Sequence, residues 1–498
     1  MNKILCLLLF LVMLLTPLKS QASDFTVSGV WYNVLSFDNH TCEVAEGPNN
    51  IKYKGIIAIP STVVFKDITF SVVGIGKYAF SNSRISGIKL PSSIKRIGNM
   101  AFEDCILLTS ISLPDSLEEI GNSCFARCST LQRISFPMSL KKIGNSILAG
   151  CTMLQNVAIP EGVQNLNGAF SGCTNLRMIT LPQSLKETGI AAFHECHAIQ
   201  NVSLPINVRT IGPSCYSGSR GLRSIKIPDS IDTIKYSAFQ GCPNLSNVQF
   251  PSSLKEIGSK SFAECIILKR VDLPDSLRSL GNSAFADCPM LIEVKLKEGL
   301  RSIGSDAFIH CSKLQEIFIP QSVAHIGQNC FYGCTNLKKV NIPTSISYIP
   351  VCMLVECPLT NLFVHNGIKK IGMNALDRCD TLTIEDSKYR LEIDNAACSV
   401  YTEYLYIGRY LHFSYADPYF MGVKSVTFGE NITNVSYILA HTKMKNVIEM
   451  RCMNRIPPVP YDFDNRDYMN ITLIVPNESI EDYKKHPIWG KFLTIKTL

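Results

Sequence analysis

Imidazole and thiolate together suit zinc, and His194-Glu195-Cys196-His197 is where they crowd this sequence most closely. Cys124 with Cys128, and Cys330 with Cys334, have the look of redox pairs. Gly74-Ile75-Gly76 suggests the opening of a dinucleotide loop, yet the third glycine, the strand-to-helix setting and the later acidic residue are missing. The sequence contains no His-Glu-x-x-His helix, Gly-x-Ser-x-Gly elbow or Walker loop, and its scattered Asp and Glu cannot be paired into a glycosidase dyad by spacing. No catalytic, cofactor or metal residue is assigned, and the chain is read as non-catalytic.

The reason lies in the phase these residues occupy. Pro91, Pro114, Pro137, Pro160, Pro182, Pro205, Pro228, Pro251, Pro274, Lys297, Pro320 and Pro343 follow one another at 23 residues with a single gap of 22. Such a period marks a solenoid of stacked supersecondary units. Of the 20 cysteines, Cys105, Cys128, Cys151, Cys173, Cys196, Cys242, Cys265, Cys288, Cys311, Cys334, Cys357 and Cys379 each close a repeat, with Ser219 in the same place. A residue type fixed to one phase serves the interior as a small apolar group, so buried thiols are expected rather than disulfides along the ladder. Cys124 and Cys330 fill a small-residue phase, and Cys196 is a ladder cysteine whose histidine neighbours must face elsewhere. Cys42, Cys398 and Cys452 lie outside the ladder, and their spacing assigns them neither a pairing nor a free state.

One repeat, Leu108 to Cys128, displays the elements. Ile111 and Leu113 alternate with Ser110 and Ser112, the period-two signature of a strand with one buried face. Pro114 cannot donate to a ladder and ends that strand. Leu117 and Ile120 turn inward from a second short extended segment. Gly121 suits the bend after it by its freedom in φ. Cys124 to Cys128 then reads as one helical or 3₁₀ turn with Phe125 plugging the core. The fold class is a repeat solenoid, in which a single coil cannot offset its ordering entropy and only stacking does.

The pattern Leu-x-x-Ile-x-Leu-Pro, then Ile-Gly-x-x-Ala-Phe-x-x-Cys, resembles the BspA-like, or Treponema-type, leucine-rich repeat of bacterial surface proteins. The resemblance runs from about Ile85 to Cys379, and more weakly to Met450. It implies a right-handed leucine-rich-repeat coil of about 13 regular repeats of 22–23 residues with N- and C-terminal caps. Phe25 to Phe70, with Trp31-Tyr32 and Ile57-Ala58-Ile59-Pro60, resembles the family's N-terminal β cap. Pro457-Pro458, Leu473-Ile474-Val475-Pro476, Tyr483, Trp489, Phe492 and Ile495 resemble its C-terminal cap. Departures are Lys235 and Pro350 at the bend glycine, Ile147-Leu148 for Ala-Phe, and a one-residue deletion at Leu166-Asn167-Gly168. Asp115-Ser116, Asp229-Ser230 and Asp275-Ser276 resemble the O-glycosylation sequon of Bacteroides-type bacteria. Since each Ser is also the repeat Ser of Pro-x-Ser-Leu, a turn role is the expectation.

Lys3, the apolar run from Ile4 to Leu15 and Ser20-Gln21-Ala22 read as a secretory signal, residues 1–22. Cys6 lies inside the apolar run, which argues against a lipoprotein. An N-terminal cap is then expected over 23–84, regular repeats over 85–379, an irregular insertion with degenerate repeats over 380–450, and a C-terminal cap over 451–498. No later run is long and apolar enough to span a membrane. Loss of Lys3 and Lys19 with the leader lowers the formal charge from +7 to +5. That is mild, and without a basic block it gives no reason to expect nucleic acid.

The core leaves the outward strand residues free to vary. Two residues before each Pro the early coils carry small side chains, whereas the later ones carry Asp272, Lys295, Phe318, Asn341 and Phe363. The neighbouring outward column reads Arg270, Glu293, Glu316, Lys339 and Asn361. An aromatic and charged patch on a sheet has the character of a recognition surface. Phe318, Phe363, Lys295, Lys339 and Asn341 are therefore the candidate ligand-binding residues, with cover by the segment after Cys379 as the competing explanation of the two rings. The resemblance implies adhesin-like binding at the cell surface or outside the cell, with the periplasm as a further location. The partner would be a host or cell-surface protein, or a glycan. A structural cell-envelope protein with no soluble ligand is the alternative, and a glycan-acting enzyme a distant third.

Overall fold

The computed structural model describes residues 23–48, 52–394, 400–414 and 419–498. The expected signal segment and Cys398 lie outside them. The chain divides into two compact units, Met1–Leu185 and Lys186–Leu498. It winds as a β-solenoid of about 18 turns with repeats of about 23 residues. The count exceeds 13 because segments without the full motif also wind.

In the first unit, strands Ile68–Ile75, Arg96–Ile97, Glu119–Ile120 and Lys142–Ile143 pair in parallel, Ile97 opposite Ile120 and Ile120 opposite Ile143. The antiparallel strands Phe25–Val27, Val30–Ser36 and Thr41–Val44 extend this sheet at its start, with Phe25, Tyr32, Phe65 and Phe70 packed together. The strand that ends at Pro is Ser110–Ser112 in the repeat read above, and it pairs in parallel with Arg133–Ser135. Its Ile111 is buried while Ser110 and Ser112 are exposed, as the alternation requires.

In the second unit the segments after the Pro corner form a six-stranded parallel sheet from Thr210–Ile211 to His325–Ile326. Strands Arg270–Asp272 and Glu316–Ile317 pair with Glu293–Lys295 and Lys339–Val340. Over 380–450 an irregular insertion with degenerate repeats was expected. The repeats are present without an irregular insertion among the described residues: Leu376–Ile384 pairs in parallel with Tyr404–Ile407, then Ser425–Phe428, Glu449–Cys452, Thr472–Val475 and Thr494–Thr497. The described parts of 380–450 thus continue the stack. Period-two burial suffices for a rung, even where Pro, Gly and Cys are lost.

The third side of each coil departs from the expected helical or 3₁₀ turn. Ala126 N–H bonds Ser123 O and Cys128 N–H bonds Phe125 O, which makes overlapping β-turns. Ser123 (φ 52°) and Arg127 (φ 60°) stand in the left-handed region between them. This alternation turns successive N–H groups along the stack: Met100, Phe102 and Asp104 donate to Asn122, Cys124 and Ala126 of the next coil. A helix would spend those donors within its own coil. The bend glycine is also explained differently. Gly121 does not have a positive φ; a Cβ there would lie 2.5 Å from Asn99 N, so close stacking demands glycine.

Inside, the repeat Phe residues stack face to face. Phe80, Phe102 and Phe125 are 5.2 and 5.3 Å apart in the first unit. Phe193, Tyr216, Phe239, Phe262, Phe285, Phe308 and Phe331 follow at 5.0 to 5.8 Å in the second. The ladder cysteines are free and buried. Most of these thiols donate to the carbonyl of the aromatic phase one coil back, as Cys128 does to Phe102 at 3.0 Å and Cys288 to Phe262 at 3.2 Å. Ser219 makes the same bond to Phe193 at 2.7 Å.

Candidate ligand-binding surface

The outward positions of the strands that end at the Pro corner are set by the pleat. With Val294, Ile317 and Val340 turned to the core, Glu293 with Lys295, Glu316 with Phe318, and Lys339 with Asn341 must face out. Lys295, Phe318, Lys339 and Asn341 border one open hollow of about 630 Å³, together with Glu293 and Glu316. Phe363 lies beyond the residues that line it, opposite Thr383 in the next strand pair. Phe318 is 62% exposed and Phe363 51%. Among the described residues, the segment after Cys379 leaves both rings exposed.

Charges of both signs ring the hollow. Glu293 contacts Arg270 and Lys295, both at 3.5 Å, and Lys297 contacts Asp272 at 3.4 Å. Lys339 stands across the strand pair from Glu316, and among the described residues neither makes an ion pair. All these side chains sit largely in water, where such pairs contribute little stability. Asn341 is committed elsewhere. Its amide oxygen accepts from Ile319 N at 2.6 Å, and its nitrogen donates to Ile319 O at 2.8 Å, which completes the ladder beside Phe318. Glu316 and Lys297 also border the hollow and were not among the expected residues. Their signal was the same outward alternation.

The other groupings resolve into structure. Cys196 is buried at its ladder phase between half-exposed His194 and His197. Among the described residues, no three His, Cys, Asp or Glu come together to hold a metal ion. Cys124, Cys128, Cys330 and Cys334 are buried free thiols. Burial pushes Cys173, Cys242 and Cys288 up to about 12 and the Cys265 and Cys311 thiols well above their ordinary range. A neutral thiol of that kind is a poor nucleophile. Ser116 and Ser276 donate to the carbonyls of Ile94 and Leu254 one coil back, at 2.7 and 2.6 Å. Ser139 and Ser253 do the same, so at these coils the repeat hydroxyl is an inter-coil fastener, whereas the buried hydroxyl of Ser230 has no hydrogen-bond partner among the described residues.

The family model of the BspA type leucine rich repeat region matches in six copies, over residues 73–168, 166–269 and 255–383. A leucine-rich repeat protein from Bacteroides ovatus of known crystal structure is 28% identical, with a TM-score of 0.50 over 70% of this chain and 94% of that one. A leucine rich cell surface protein from Faecalibacterium prausnitzii is 23% identical, with a TM-score of 0.46 over 70% and 94% of the two chains. The pneumococcal vaccine antigen PcpA is 18% identical, with a TM-score of 0.38 over 75% and 93%. No protein with a curated function matches the chain. Among the described residues, no helix is long and apolar enough to cross a membrane.

Proposed function

The chain belongs to the BspA type leucine-rich repeat family, and on that premise we propose that it is an exported surface protein that binds an extracellular protein of a host or another cell and performs no catalysis. The observation that carries the reading is Phe318. A large ring more than half exposed beside an open hollow, on a rigid sheet and between lysines of opposite columns, is an anchor with its polar rim already in place. A strand scaffold offers it at little ordering cost. Lys295 and Lys339 would steer an acidic partner and set orientation more than affinity.

The test is a binding screen of the purified chain against extracellular matrix proteins, mucins and cell-surface proteins, followed by the double variant Phe318→Ser with Phe363→Ser. Saturable binding that falls by about tenfold or more in the variant, at nearly unchanged melting temperature, is expected. Silence across the screen would favour a structural role in the envelope. Intact affinity in the variant would place the contact elsewhere.

A further inference from the structure

Next to the charged hollow, from Asn361 at its border onward, the same side of the stack changes character. Across four successive rungs the outward positions are Asn361 and Phe363, Thr381 and Thr383, Tyr404 and Tyr406, then Ser425 and Thr427. None is charged. The rungs before them carry Glu293, Lys295, Glu316 and Lys339, and the rung after carries the ion-paired Glu449 and Arg451. Charge thus stops and resumes around a strip about four rungs wide.

Within the strip the rings recur at alternate rungs. Phe363 and Tyr406 stand in one column with Thr383 between them, so their backbones are about 10 Å apart at the rung spacing of a sheet. Tyr404 lies beside Tyr406 on the same strand and is 51% exposed, as Phe363 is. Tyr406 is half-buried and its hydroxyl donates to Asp386 at 2.5 Å, which fixes the ring. Asn361, Thr381 and Thr383 make no side-chain hydrogen bond to the described residues. Their amide and hydroxyl groups are held on a stiff sheet with nothing to bond but solvent or a ligand.

We propose that this strip binds a neutral, linear, β-linked glycan laid along the stack. In an extended β-1,4-linked chain alternate sugar rings present the same face to one side, and the C–H groups of that face stack on an aromatic ring. One sugar would lie on Phe363 and the next but one on Tyr404 and Tyr406. The sugar between them would meet Thr381 and Thr383, which can donate to and accept from its hydroxyls. No charged side chain stands within the strip to pair with a charged glycan, and purely apolar side chains would leave those polar groups without partners. The strip shares Phe363 with the protein contact proposed above, but not Phe318, Lys295 or Lys339.

Isothermal titration of the full chain with hexasaccharides of β-1,4-linked and β-1,3-linked glucose tests this, with the matching disaccharides and a sulfated hexasaccharide as controls. Saturable binding of at least one neutral hexasaccharide is expected, insensitive to salt and much stronger than that of its disaccharide, which cannot span both rings. Tyr404→Ser and Phe363→Ser should each weaken it by about tenfold, and Phe318→Ser should leave it unchanged. Tyr404→Ser should also leave binding of any protein partner intact, so the two readings fail separately. Absence of binding to the neutral hexasaccharides, preference for the sulfated one, or affinity untouched by Tyr404→Ser and Phe363→Ser would overturn the proposal.

Discussion

Cys288 shows why one small residue is repeated so faithfully. Its thiol fills a site bounded by stacked rings, and its hydrogen satisfies the carbonyl of Phe262 one coil back at 3.2 Å. Ser219 makes the equivalent bond, so the site needs a small donor rather than sulfur as such. Cys288→Ser should therefore lower stability by only about 1 kcal/mol or less. Cys288→Val, close in size but without the donor, should cost about 1–3 kcal/mol by overpacking and by orphaning that carbonyl. Chemical denaturation of the two variants checks the order, and equal losses would mean that volume alone sets the residue.

At the scale of an element, the coil is three short extended or turned segments whose hydrogen bonds run between coils. The strand that ends at Pro has the most interrupted ladder, pairing mostly two by two because Pro cannot donate, whereas the segments after the corner form continuous sheets. Asn341 repairs one such place by bonding both the N–H and the C=O of Ile319. Asn341→Ala should lower stability by about 1–3 kcal/mol through the two groups left unpaired, read as a shift in the denaturant midpoint. If the variant instead loses partner binding at unchanged stability, Asn341 is a contact residue and its bonds to Ile319 are incidental. The face it supports carries the residues of both proposed sites.

For the molecule as a whole, ends and pH decide persistence. Trp489 is fully buried, with its indole N–H donating to Pro458 O at 2.7 Å and its ring against Phe463 and Phe492. It closes the sheet whose edge is Thr494–Thr497. Trp489→Ala should cost about 3–5 kcal/mol and expose an apolar coil face and a strand edge, so size-exclusion chromatography should show aggregates. The thiols add a pH limit. Cys173, Cys242 and Cys288 ionise near 9.0 when unfolded but only at about 12 in the fold. The folded state therefore holds more protons between those values. Stability should be level up to about pH 9, then fall towards pH 12 by about 1.4 kcal/mol per pH unit for each such thiol. Urea midpoints measured across that range check it, and a flat profile would mean that the thiols remain accessible.

The sequence by itself determined the solenoid, the coil length, the inward phase of Cys and Phe and the outward columns. Each follows from periodicity, which a repeat prints many times over and the pleat converts directly into burial. It also placed Lys295, Phe318, Lys339 and Asn341 on one face, because registered coils bring equal phases together. Tertiary structure alone decided what depended on the neighbouring coil. The bend glycine answers to the backbone of Asn99 rather than to its own φ, the turn segment aims its N–H groups along the stack rather than within a helix, and the outward Asn341 spends its amide on Ile319. It likewise decided how the chain runs between Cys379 and the degenerate repeat near Met450. There most motif residues are gone and little but alternation remains, a signal too short in one strand to be read until Tyr404–Ile407 is seen paired with the strands on either side. A coil's sequence states which residues face in; how closely the next coil approaches is a distance, and only the folded chain sets it.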